Sequence, residues 1–176
     1  MNLGMYLARS ARFWADRPAL LFRDRTITYR QLEERSNQLA HALRGLGLQR
    51  GDRVAIVSPN RPEIVEIECA LYKLGLVKVA LNARLAPAEL QDALANAEAV
   101  AIAAGPEHRA MVDQVSEGMT TLAHRIGFDL GDAGAAGWVD YEPLIAACPD
   151  THIRVDMRPD DLAVLHYTSG STGKLK

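Results

Sequence analysis

Short β-branched apolar runs alternate with segments whose apolar residues recur every three or four positions, and this alternation limits the folds open to the chain. Arg53-Val-Ala-Ile-Val-Ser58, Leu76-Val-Lys-Val-Ala80 and Val100-Ala-Ile-Ala103 read as strands. Between and around them, helical periods run through Leu32, Leu39, Ala40, Leu43 and Leu46, then Ile64, Ile67, Leu71 and Leu74, then Leu90 and Leu94, then Met111 and Val115. Neighbouring parallel strands cannot be joined by a tight turn and need helical crossovers. The expected class is therefore α/β, a mostly parallel sheet with helical crossovers.

Local signals set the element ends. Thr28 with Gln31 and Asn60 with Glu63 have capping-box spacing, Pro62, Pro87 and Pro106 open helices, and Gly45, Gly47 and Gly75 close them. Ala19–Phe22 and Thr26–Tyr29 flank a polar turn and predict a hairpin. At the start, Leu3, Tyr6, Leu7, Ser10 and Trp14 share helical spacing behind Asn2 as a cap, which predicts a docking helix. The Gly- and Ala-rich stretch 129–137 predicts an exposed, mobile loop.

With 48% hydrophobic residues, the 176-residue chain can bury a core of single-domain size. Twenty Lys and Arg against twenty-two Asp and Glu give a net charge of -2, which offers no global field for nucleic acid. Arg9 and Arg12 interrupt the apolar start, no run reaches the roughly 18 residues of a membrane span, and the expected location is cytoplasmic. Cys69 and Cys148 form no disulfide framework, and the five histidines show no metal-ligand spacing.

The chemistry concentrates at the end. Asp161-Leu-Ala-Val-Leu-His-Tyr167 is an apolar strand leading into Thr168-Ser-Gly-Ser-Thr-Gly-Lys-Leu-Lys176. Gly170 and Gly173 permit close backbone approach to an anion, Thr168, Ser169, Ser171 and Thr172 add hydroxyl donors, and Lys174 and Lys176 add charge suited to phosphate oxygens. A Walker A loop fails twice: Thr168 stands at its first glycine and Leu175 at its magnesium-binding hydroxyl. His166 beside the segment, and His41, His108, His124 and His152 elsewhere, read as structural or surface residues, and Arg84 and Glu89 as local loop and helix-start contacts.

Tyr167–Gly173 resembles the signature loop of the adenylate-forming (AMP-binding) superfamily, which includes acyl-CoA synthetases and fatty-acid–CoA ligases. Ser171 replaces the commoner Thr of that loop and Leu175 its usual Pro. Thr26–Leu32, Gly51–Val54 and Leu81–Leu90 are similar to earlier family segments in the same order. The resemblance implies ATP-dependent activation of a carboxylic acid, fatty or aromatic, to an acyl-adenylate and then to an acyl-CoA thioester, with ATP, Mg2+ and coenzyme A as reactants. It implies that Thr168, Ser169, Gly170, Ser171, Thr172, Gly173, Lys174 and Lys176 bind the nucleotide. It further implies that residues 1–176 are the N-terminal part of the large domain, cut within the phosphate-binding loop and lacking the C-terminal catalytic domain. On that reading the piece alone is inert and self-associates through an uncovered apolar face. A non-catalytic binding module of the same fold and an unrelated phosphate-binding domain stay open as alternatives.

Overall fold

A computed structural model describes residues 2–131 and 134–167. They form two compact units, each assembled from separate stretches of chain: the described residues within 2–51, 60–76 and 143–163 in the first, and within 52–59, 77–142 and 164–167 in the second.

The first unit is built on three helices, α1 (Gly4–Trp14), α2 (Tyr29–Gly45) and α3 (Pro62–Leu74), which contact one another, with a hairpin of β1 (Pro18–Phe22) and β2 (Arg25–Thr28) against α2. The expected hairpin and capping box are present. The Gln31 amide donates to Thr28 Oγ1 at 3.3 Å, while the Thr28 amide donates to Gln31 Oε1 at 2.9 Å. Leu32, Leu39, Ala40 and Leu43 are buried as the helical period requires. Gly75 closes α3 at φ 66°, a left-handed conformation that favours glycine.

Two local expectations are corrected. Asn60 does not cap α3; Arg61 occupies the cap position, and Glu63 turns to Arg61 (2.8 Å) and Arg25 (3.5 Å) instead. Burial works to raise the Glu63 pKa, but the two guanidiniums hold its carboxyl below the usual value. In α1 only Leu7 of the expected face is buried, whereas Leu3, Tyr6 and Trp14 are exposed. The helix docks through Gly4, where a Cβ would meet Lys73 Cγ at 2.5 Å, so only a glycine lets α1 approach α3 this closely.

The centre of this unit is ionic. Lys73 is fully buried, with Nζ 2.8 Å from Glu33 Oε2 and 2.5 Å from Asn37 Oδ1. Asn2 ties the node to the chain start, its amide donating to the carbonyls of Lys73 (3.0 Å) and Val155 (2.8 Å) while its oxygen accepts from the Gly4 amide. Glu66, also buried, accepts from Arg35 at 2.7 Å. Burial pushes the Lys73 pKa down, and the Glu33 carboxylate opposes that shift.

The second unit is a six-stranded parallel sheet in the order β7-β6-β5-β3-β4-β8, formed by β3 (Arg53–Val57), β4 (Val77–Ala80), β5 (Ala101–Ala104), β6 (His124–Gly127), β7 (Val139–Asp140) and β8 (Val164–His166). This is the expected class. Helices α4 (Pro87–Asn96) and α5 (Arg109–Val115) supply the crossovers from β4 to β5 and from β5 to β6. Leu90, Leu94, Val112 and Val115 join Ala55, Val57, Val79, Ile102 and Ala104 in one apolar core. The chain returns to the first unit through α6 (Tyr141–Ala146), whose Tyr141 meets Phe128 edge-on at 5.2 Å. Around the Gly- and Ala-rich stretch, Leu130 and Trp138 are buried, so both ends of that segment are fixed by packing.

Glu33→Gln should destabilise the protein by about 3–5 kcal/mol in urea unfolding, since it leaves the Lys73 ammonium buried without its carboxylate. Adding Lys73→Met to that variant should restore part of the loss. If the single variant unfolds at the wild-type urea concentration, the node carries no stability.

Candidate nucleotide-binding edge

All six strands run the same way, so all their carboxyl ends lie along one edge of the sheet, and there open α/β sheets place their ligands. From this edge leave residues 58–59 after β3, 81–86 after β4, 105–108 after β5 and 128–131 after β6. β3 connects onward to β4 on one side and β5 to β6 on the other, which makes the β3–β5 gap a switch point in the strand order.

The segments along this edge are pinned by their own side chains. Asn82 Oδ1 accepts from the Arg84 amide at 2.9 Å, and Glu89 Oε2 accepts from the Ala86 amide at 2.8 Å, so Arg84 and Glu89 sit in the local contacts expected of them. His108 is buried, and its Nε2 donates to the Ala83 carbonyl at 2.7 Å, linking the β5 exit to the β4 exit. Its Nδ1 stands 3.4 Å from Glu107 Oε1. His108 is thus a core residue anchored through Nε2, while its buried Nδ1 has no hydrogen-bond partner, so the expected satisfied histidine is only half realised.

β8 pairs with β4 in parallel register, Lys78 with Val164, Val79 with Leu165 and Ala80 with His166. The strand expected here is present, but it is not a buried one: it is the edge of the sheet, Val164 and Leu165 are half-buried, and His166 is exposed. Having only one neighbour among the described residues accounts for the difference. Tyr167 follows, with its hydroxyl donating to Asn96 Oδ1 at 2.7 Å and lying 3.3 Å from the Ala93 carbonyl. Burial pushes the Tyr167 pKa up. The end of α4 therefore fixes where the chain leaves the sheet, a tie between residues 71 positions apart that no sequence pattern announces.

Thr168, Ser169, Gly170, Ser171, Thr172, Gly173, Lys174 and Lys176 lie outside the described residues, as does the expected mobility of that segment. What the structure fixes is their point of departure, the carboxyl end of β8 on the ligand edge. Among the described residues no group of three or more His, Cys, Asp or Glu could hold a metal ion, and no helix is long and apolar enough to cross a membrane.

A second concavity lies within the first unit, a cavity of about 440 Å³ walled by Leu3, Tyr72, Leu76, Met157 and Leu162. Arg50 holds Asp161 beside it at 2.5 Å and draws that carboxyl's pKa down. The Tyr72 hydroxyl donates to Glu68 at 2.6 Å, and burial with that carboxylate pushes its pKa up, so it is a poor proton donor to any occupant. Cys69 is no nucleophile either, because burial pushes its thiol up to about 12.

A parallel sheet whose last described strand leads into a hydroxyl-, glycine- and lysine-rich sequence makes this an α/β protein with a candidate phosphate site at its carboxyl edge. The sequence profile of the AMP-binding enzyme matches residues 7–176, and the chain belongs to that family. A feruloyl-CoA synthase of Amycolatopsis sp is 36% identical over 175 residues, covering 99% of this chain and 32% of that protein. A 3-oxocholest-4-en-26-oate–CoA ligase of Rhodococcus rhodochrous is 35% identical over 168 residues, covering 92% of this chain and 29% of that protein. The crystal structure of the anthranilate CoA ligase AuaEII in complex with anthranoyl-AMP superposes with a TM-score of 0.93 at 27% identity, over 99% of this chain and 33% of that one. The chain thus spans about a third of the length of the relatives it matches.

Tyr167→Phe should cost about 0.5–1.5 kcal/mol of stability, the worth of one hydrogen bond. Amide exchange at Leu165 and His166 should speed up in that variant while exchange in β5 stays unchanged. Equal acceleration in both strands would show that the Asn96 contact does not hold β8 in particular.

Proposed function

We propose that this chain provides the pyrophosphate-binding part of an acid–CoA ligase, which joins a carboxylic acid to coenzyme A at the expense of ATP. The reading is supported by the position of β8 and Tyr167, which end at the carboxyl edge of the parallel sheet where the Thr168–Lys176 sequence begins, in a chain whose family match runs through Lys176. In the first half-reaction the acid's carboxylate attacks the α-phosphorus of ATP; a new P–O bond forms, the bond to the β-phosphate's bridging oxygen breaks, and pyrophosphate leaves with that electron pair. Thr168, Ser169, Ser171 and Thr172 donate hydrogen bonds to the leaving pyrophosphate, Gly170 and Gly173 let backbone amides approach it, and Lys174 and Lys176 neutralise its charge. In the second half-reaction the thiol of coenzyme A displaces AMP from the acyl-adenylate.

Lys174 and Lys176 are cations that cannot ligate a metal, and Mg2+ is proposed to arrive on the triphosphate. The acid is proposed to be fatty or aromatic, the aromatic choice being supported by relatives named for feruloyl and anthranilate substrates. A cytoplasmic location belongs to the same reading. The 176 residues alone, about a third of such a ligase, are proposed to be inactive and to self-associate.

The complete gene product should catalyse acid-dependent ATP–pyrophosphate exchange with at least one member of a panel of fatty and aromatic acids. Lys174→Ala should slow that exchange about a hundredfold with little change in the acid's KM, because the charge acts where pyrophosphate departs. Exchange at the wild-type rate in this variant would remove Lys174 from the mechanism, and no exchange with any acid would remove the ligase reading itself.

A further inference from the structure

Asn96 is an exposed polar residue on the last turn of α4, a place where a side chain ordinarily answers only to water. Here it accepts a hydrogen bond from the Tyr167 hydroxyl at 2.7 Å, and Tyr167 is the residue that joins β8 to the Thr168–Lys176 sequence. β8 has few other ties. It is three residues long, it has one sheet neighbour among the described residues, and its register with β4 ends at His166. The sequence beyond Tyr167 contains Gly170 and Gly173, residues that impose little backbone preference of their own.

The turn that carries Asn96 is fixed from the middle of the sheet. The Ala99 amide donates to the Leu94 carbonyl and the Glu98 amide to the Ala95 carbonyl, both at 3.1 Å, the paired bonds of a Schellman stop. Glycine ordinarily takes the left-handed position of such a stop, but here it is Glu98, at φ 48°. A side chain in that conformation is strained and persists where its surroundings hold it. Arg53, at the start of β3, does the holding: Nε donates to the Ala97 carbonyl at 2.8 Å, and Nη2 to the Glu98 carbonyl at 3.1 Å and to Glu98 Oε2 at 2.8 Å. A glycine at position 98 would end the helix without strain but would take that carboxylate away from Arg53. Leu90 and Leu94 seat the same helix in the sheet core, and Tyr167 packs against that core.

We propose that Asn96 is a positioning residue for the departure of pyrophosphate: by holding the Tyr167 hydroxyl it sets where the Thr168–Lys176 sequence starts, and so where its hydroxyls and lysines meet the phosphates. The inference rests on the ligase reading and adds to it a residue that touches no reactant. Donors stabilise a departing anion only when they already stand where its charge develops, and a misplacement of about 1 Å costs as much as a hundredfold in rate. In the second half-reaction pyrophosphate has already left, so attack of coenzyme A on the acyl-adenylate does not draw on the tie.

The two half-reactions of the complete gene product provide the test. Asn96→Leu removes the acceptor from an exposed turn, so circular dichroism should show the wild-type fold. At saturating ATP, acid-dependent ATP–pyrophosphate exchange should slow by about tenfold with the acid's KM unchanged. Thioester formation from coenzyme A and supplied acyl-adenylate should keep the wild-type rate. Tyr167→Phe should reproduce this split, and the double variant should be no slower than either single one, because both remove the same bond. Exchange at the wild-type rate in Asn96→Leu and in Tyr167→Phe overturns the proposal. So does an equal fall in both half-reactions, which is what a merely structural role predicts. If Asn96→Leu does not fold, Tyr167→Phe decides alone by the same split. Absence of exchange in the unsubstituted protein with every acid removes the ligase reading and this role with it, whereas normal exchange that neither substitution alters removes the role of Asn96 alone.

Discussion

Parallel pairing of six strands is the constraint on which the rest depends. It sends every strand's carboxyl end to one edge, and it forces each connection to cross back over the sheet before the next strand can begin. The crossovers α4 and α5 bury their apolar faces on one side of the sheet, so the segments of the opposite kind, short and polar, collect along the carboxyl edge. That division of labour makes the exit of β8 a suitable place for the proposed phosphate-binding segment.

The first unit solves a different problem, that of fixing three helices whose contacts are individually small. It does so with charge at the centre. Lys73 reaches Glu33 and Asn37 on α2, and through its backbone it meets Asn2 ahead of α1, so one buried ammonium orients three elements. Desolvating an ammonium is costly unless every donor is met, which makes the node intolerant of alternative packings and specifies one arrangement of α1 against α3. Gly4 completes the fit by removing the Cβ that would strike Lys73.

The comparisons and the geometry bear on different levels. Family membership rests on a match along nearly the whole chain, and the shared fold on a superposition over 99% of it. Neither reaches the acid, since the chain spans about a third of its relatives.

The sequence by itself determined the α/β class, the hairpin, the capping box at Thr28 and Gln31, and the proline starts and glycine stops. These are local: each depends on residues within a few positions, or on periodicity that backbone geometry imposes. It also contained an unread signal, Glu63, Glu66 and Lys73 standing with Ala70 at intervals of three, four and three on the inner face of α3, where charge must be paired to be buried. Only the tertiary structure decided the pairing of Lys73 with Glu33, the edge position of β8, the Tyr167–Asn96 tie and the outward turn of the α1 rings. Each depends on which distant residue arrives alongside, and Gly4 shows why the pattern misleads: a periodic apolar stripe predicts burial of Tyr6 and Trp14, but the contact that decides α1's rotation is made by a residue with no side chain.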